Sequence, residues 1–388
     1  MRTIGVVTVG RSDYGICRPL LRALAAEPGL ELRVLVSGMH LSPEFGSTVS
    51  MIEADGYPIA ERIETIPPSD SPAGTGRAMG LGVLGFSEAF ERSRPDILVV
   101  LGDRFDMYPA ALAALPFRIP VAHVHGGELT FGAIDDALRH SMTKLSHLHF
   151  AATEGYARRI VQLGEEPWRV TVSGALALDD VENQPVLSTA ELEQRFGIRL
   201  DPAPLLVTFH PATLEYEHTG RQTAELLAAL EAAGRPVIFT APNADAAGRE
   251  VRAAVEGFVA GRRDAWLVEN FGQPAYFSVL RQVAAMVGNS SSGVIEAASF
   301  GMPVVNIGSR QEGRTRATNV LDVAPVRGEI LAAIGRATSP EFRAALAGCA
   351  NPYRAANGSA AKTIVGRLKT VALDETLWTK KFHDIGQA

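Results

Sequence analysis

The chain has 388 residues, too many for one ordinary domain and comfortable for two, each burying its own core. Hydrophobic residues make up 46% and charged residues 21%, the balance of a soluble globular protein. A formal net charge of -6 argues against nucleic acid as a partner, though a local cluster of donors could still hold a small anion.

Cys17 and Cys349 are too few for a disulfide framework and fit a reducing compartment. The opening MRTIGVVTVGRSDYG is a short apolar run ended by a polar turn, which reads as a first strand (3–9) and not as a signal peptide. No stretch approaches the roughly 18 apolar residues of a membrane span, so a cytoplasmic protein without membrane contact is expected. Further strands are predicted at 31–37, 96–102, 120–126, 147–153 and 169–174, each followed by a turn and a helical pattern. Their unbroken apolar character implies burial on both faces, hence a parallel sheet covered by helices. The glycine-rich stretch 73–85 lies inside a helical pattern, so helix packing or a mobile loop is expected there, not a phosphate loop.

The pattern restarts after a Pro- and acid-bearing hinge at 177–188, with strands at 204–210, 235–242, 284–289 and 302–308. Two such series predict an α/β protein of two Rossmann-like doubly wound domains, 1–180 and 181–360, with an interdomain cleft. A helical segment, 361–388, is expected to pack back on the first domain. Ligands of such sheets bind beyond the strand C-termini, so the residues just after each strand carry the functional argument.

After the first strand comes Gly10-Arg11-Ser12-Asp13-Tyr14-Gly15, which lacks the glycine spacing of a dinucleotide site. Arg11 at a helix start suits a phosphate or carboxylate, or simply caps a turn. The second strand ends near His40, which alone carries no weight. Asp103 and Arg104 end the next, and His125-Gly126-Gly127-Glu128 the one after. Carboxylates converging on one cleft repel, which raises at least one pKa toward the range useful for proton transfer. Asp135 and Asp136 then open a helix, where carboxylates are also ordinary first-turn residues. In the second half, His210 and Asn243 follow strands, and Asn289-Ser290-Ser291-Ser292-Gly293 leads into a helix holding Glu296. Three hydroxyls and free N–H groups at a helix start suit a diphosphate, although one serine would suffice as a cap. Glu296 is placed to reach a ribose diol, and Arg310 to counter phosphate charge.

Taken in order, GRSDYG, SGMH, GDRFD, HVHGGE, AIDD, RHSMTKLSHLHF, FHP, PNAD, GNSSSGVIE and GSRQ strongly resemble the hydrolysing UDP-N-acetylglucosamine 2-epimerases of bacterial sialic acid synthesis. The epimerase half of the animal bifunctional epimerase/kinase is similar. The resemblance implies a GT-B fold, no metal and no redox cofactor. It matches Arg11, Arg104, His210, Asn243, Ser290, Ser291, Glu296 and Arg310 to UDP contacts, with His40, Ser292 and Gly293 completing the substrate-binding set. Asp103, Glu128, Asp135 and Asp136 match the family's acidic catalytic places. Where some members carry a catalytic glutamate this chain has His125, as other bacterial members do, so His125 and Glu128 are both candidates for the acid or base.

The implied reaction removes the C2 proton, expels UDP to give 2-acetamidoglucal, and adds water with reprotonation on the opposite face to give N-acetylmannosamine. The same chemistry on a UDP-2,4-diacetamido-trideoxy sugar, for legionaminic acid, is the alternative. A non-hydrolysing epimerase, a GT-B glycosyltransferase and a non-catalytic UDP-sugar sensor fit less well. The expected partner is a UDP-N-acetylhexosamine, and the expected assembly a homo-oligomer, dimer or tetramer.

Overall fold

Short, doubly buried apolar runs build two separate parallel sheets in the computed structural model, which describes residues 1–42, 48–65, 72–131, 133–181, 184–212, 215–241 and 248–386. The first sheet holds β1 (Arg2–Thr8), β2 (Leu30–Ser37), β3 (Ile59–Ile63), β4 (Ile97–Leu101), β5 (Val121–Val124), β6 (Leu148–Ala151) and β7 (Val170–Val172). Its order is β3-β2-β1-β4-β5-β6-β7, all parallel. The second holds β8 (Leu205–Thr208), β9 (Val237–Thr240), β10 (Ala265–Val268), β11 (Ala285–Gly288), β12 (Val304–Ile307) and β13 (Val320–Val323). Its order is β10-β9-β8-β11-β12-β13, again parallel. Strand order reverses between β1 and β4 and between β8 and β11, the switch points where doubly wound sheets receive ligands.

Every strand expected from the sequence is present; β1 begins one residue earlier than expected and ends one earlier, β2 gains one residue at its start, and the others are shorter than expected. β3, β10 and β13 were not expected, and all three are edge strands. An edge strand meets neighbours on one side only, and polar residues break the apolar run in β3, IAERI, and β13, VLDV, whereas β10, AWLV, is apolar throughout but only four residues long. The glycine-rich stretch forms the Pro72–Arg92 helix. A Cβ on Gly82 would lie 2.9 Å from Pro109 and one on Gly85 2.7 Å from Ile63, so these glycines serve close packing.

The chain divides into two compact units. One comprises Met1–Glu128, Asp135–Asp180 and the chain from Tyr353 onward; the other comprises Leu129–Ile134 and Val181–Pro352. Residues 353–360, expected in the second domain, therefore belong to the first unit, as does the segment that follows. The tie is specific. Asp179 accepts the N–H groups of Ala360 and Ala361, both at 2.7 Å, which caps the Ala360–Thr370 helix. Ile364 and Leu368 of that helix enter the first unit's core beside Leu20 and Leu24. The buried Arg169 donates to the carbonyls of Thr376 and Leu377. Among the described residues, no helix is long and apolar enough to cross a membrane.

Candidate active site

At the end of β1 the chain turns at Gly10 into the Arg11–Ala25 helix, and Arg11 opens that helix with an exposed side chain. Asp13 folds back instead. Its Oδ2 accepts the Thr8 hydroxyl at 2.7 Å and the Val9 N–H at 3.0 Å. Burial pushes the Asp13 carboxyl up to about 6, against the pull of those two bonds. Thr8 Oγ1 is also 2.9 Å from His40 Nε2, and His40 Nδ1 is 2.7 Å from the Thr48 hydroxyl. His40 is wholly buried, and burial draws its pKa down to about 4. His40 is thus held at both ring nitrogens within this turn.

Charged and ionisable side chains gather at the ends of β4 and β5. Asp103 forms an ion pair with Arg139, a residue 1% exposed on the Asp135–Leu145 helix. Arg139 also lies 3.8 Å from Asp136, its partner one turn back, and donates to the Glu128 carbonyl at 3.1 Å. Repulsion among bare carboxylates, expected from the sequence, is thus replaced by a guanidinium set among them. Asp135 and Asp136 form the first turn of that helix, and Asp136 also lies 3.6 Å from His140. Arg104 makes a two-pronged contact with Asp106 at 2.9 and 3.1 Å.

His125 stands in the left-handed region, with φ +66. Its Nδ1 is 2.7 Å from Glu128 Oε1, and both side chains are nearly inaccessible. His123, on the strand just before, is 2.7 Å from the Gly102 carbonyl through Nε2 and 3.2 Å from the Thr143 hydroxyl through Nδ1. Burial draws its pKa down to about 3, so it is a neutral fixture that holds the β4 turn. Gly127 is required: φ is +75, and a Cβ would lie 2.4 Å from the Tyr156 carbonyl oxygen.

In the second unit the strand ends meet through one amide. Asn289 Oδ1 accepts the His210 N–H and Asn289 Nδ2 donates to the His210 carbonyl, both at 2.8 Å. The Asn289 carbonyl in turn receives Arg310 at 3.1 Å and Gln311 at 2.9 Å. Gly288 makes this possible: φ is +134, and a Cβ would lie 2.0 Å from the Thr208 carbonyl oxygen. His210 is buried, and burial together with the nearby Arg310 holds its pKa well below the usual imidazole value. Ser290 caps the Ser291–Ile295 helix by accepting from Ser292 N–H. The Ser292 hydroxyl accepts from Tyr276 at 2.8 Å. Gly293 lets the helix approach β12, since a Cβ there would lie 2.9 Å from Val304. This helix is five residues long, so its dipole is small, and Glu296 is its C-cap, about one turn from its start. Asn243 lies outside the described residues.

Arg139 and Asn289 were passed over in the sequence reading, although each organises its own strand ends. Arg139 left a signal: it shares the buried stripe of its helix with Met142 and Thr143, a place where a charged residue needs a partner. Asn289 left none, because its partner His210 is 79 residues away.

Two doubly wound units with polar, partly buried clusters at their switch points define a protein of the GT-B class. A family profile described as UDP-N-acetylglucosamine 2-epimerase matches residues 22–369, and the chain belongs to that family. The GDP/UDP-N,N'-diacetylbacillosamine 2-epimerase (hydrolyzing) of Campylobacter jejuni is 38% identical over 323 residues, 83% of this chain and 84% of that one. The UDP-N,N'-diacetylbacillosamine 2-epimerase (hydrolyzing) of Legionella pneumophila is 34% identical over 98% of this chain and 99% of its own. The crystal structure of UDP-GlcNAc 2-epimerase from Neisseria meningitidis bound to UDP-GlcNAc superposes with a TM-score of 0.79, at 20% identity, over 95% of this chain and 99% of that one.

Proposed function

We propose that the chain is a hydrolysing 2-epimerase of a UDP-2-acetamido sugar, releasing UDP and the free 2-epimer as a precursor of a sialic (nonulosonic) acid. The observation that carries this reading is the pairing of Asp103 with the buried Arg139 and of His125 with Glu128 at adjacent strand ends. Such groups accept and return protons, which a sensor or a simple binding protein does not need. Asp103, His125, Glu128, Asp135 and Asp136 are assigned to the chemistry. Arg11, Arg104, His210, Ser290, Ser291, Glu296 and Arg310 are assigned to UDP.

The reaction has two halves. Loss of the C2 proton lets the C2–H electron pair form a C1=C2 double bond while the C1–O bond breaks and UDP departs with the C1–O pair. Water then adds at C1 and a proton returns to C2 on the other face. Guanidinium groups stabilise the diphosphate as it leaves.

Two full-length or nearly full-length relatives are named for a diacetylated sugar, which favours the UDP-2,4-diacetamido-trideoxy substrate over UDP-N-acetylglucosamine. Incubation with each sugar, followed by NMR, tests the reading. UDP and a free 2-epimer should appear, faster from the diacetamido sugar. UDP-sugar recovered unchanged would reject an epimerase, and an epimer still bound to UDP would make the enzyme non-hydrolysing. A cytoplasmic location and a homo-oligomeric assembly belong to the same proposal, and fractionation and sedimentation check them.

A further inference from the structure

Three features coincide at His125. Nδ1 is 2.7 Å from the Glu128 carboxylate, which is itself 2% exposed. Nε2 is buried and has no hydrogen-bond partner among the described residues. The backbone holds φ +66, a conformation that a non-glycine residue keeps only when its surroundings enforce it. Those surroundings are explicit. Arg159 donates to the Gly127 carbonyl and Arg139 to that of Glu128, so the turn from 125 to 128 is pinned at successive carbonyls. The neighbouring His123 is committed at both nitrogens and offers no alternative proton carrier.

In the imidazole tautomer that donates from Nδ1 to the Glu128 carboxylate, the ring's lone pair lies on Nε2. Buried polar atoms are ordinarily satisfied, and an unanswered one at a strand end in a strained turn marks a place kept for a reacting atom. We propose that His125 Nε2 is the base that takes the C2 proton in the elimination, with Glu128 as its positioning residue; the assignment rests on the epimerase reading above. The proton passes to Nε2, the C2–H pair becomes the C1=C2 bond, and UDP leaves with the C1–O pair. The Glu128 carboxylate then faces the imidazolium that has formed, the role an acidic partner fills beside a catalytic histidine.

His125→Asn tests it, because asparagine tolerates the left-handed backbone and so preserves the turn. Release of UDP should fall by about 10²–10⁴-fold, while hydration of added 2-acetamidoglucal, which does not use this base, continues. Added imidazole should restore part of the elimination. A second measurement is independent of turnover. Nitrogen NMR of labelled histidines in the wild type should show His125 protonated at Nδ1 and bare at Nε2, and Glu128→Leu should erode that tautomer and lower kcat more than it changes KM. Wild-type UDP release by His125→Asn, or a proton found on Nε2 in the native protein, overturns the assignment while the epimerase reading stands. A wild-type enzyme that releases no UDP from either sugar removes that reading and the assigned step together.

Discussion

The two units share a topology and differ in what gathers their strand ends. In the first, a buried guanidinium, Arg139, stands among Asp103, Asp136 and the Glu128 carbonyl. In the second, a neutral amide, Asn289, clasps the His210 backbone and presents its own carbonyl to Arg310 and Gln311. A guanidinium set among carboxylates holds them by charge-assisted contacts in one arrangement. An amide adds no net charge and serves to set backbone geometry. One fold thus gathers its strand ends around a charge in one unit and around a neutral amide in the other.

That contrast can be broken experimentally. Arg139→Ala should have the largest effect, since it removes the buried guanidinium that holds the partly buried Asp103 and the Glu128 carbonyl: about 3 kcal/mol of stability by denaturant unfolding, with turnover lost as well. A variant as stable as the wild type would deny Arg139 its central place. Asp103→Asn should lower kcat by about 10²–10⁴-fold with UDP affinity nearly unchanged by calorimetry. A matched loss of UDP affinity would erase the division between the two units.

Asp13 separates stability from catalysis within the first unit. Its carboxyl is raised from 3.8 to about 6, chiefly by burial. Between those values the native state holds a proton that the unfolded chain has released, so stability falls as pH rises from near 4 to near 6, by an amount on the order of 3 kcal/mol. Both of its hydrogen bonds reach one oxygen, Oδ2, so Asp13→Asn can keep them and should flatten this dependence. An unchanged slope in urea titrations across that range would place the titrating group elsewhere. The smallest effect is expected of Ser291→Ala, which spares the cap made by Ser290. UDP binding should weaken by about 1.5–3 kcal/mol with the fold intact, and an unaltered calorimetric affinity would remove Ser291 from the UDP contacts.

What the sequence disclosed follows from range and burial. Central strands such as β4 and β11 were legible because both faces are apolar, and edge strands such as β3 were not. The His125–Glu128 pair spans one tight turn and its members stood out as candidates together. His40 drew attention through its position after β2, and its partners Thr8 and Thr48 hold it at both ring nitrogens. The serine run was read as the start of a helix, and the Ser291–Ile295 helix capped by Ser290 begins there. Asn289 with His210, and Arg139 with Asp103, join residues distant in the chain, which local patterns do not report.

The return of the chain to the first unit at Tyr353 bears on how the protein is made. Residues 181–352 contain all six strands of the second sheet, so on the ribosome that unit has all its strands while the first still lacks Ile364, Leu368 and the carbonyls that Arg169 binds. Domains ordinarily mature in order of synthesis. Here the half that emerges first is completed last, and a nascent chain stalled near residue 352 would expose the apolar surface of the Arg11–Ala25 helix to chaperones.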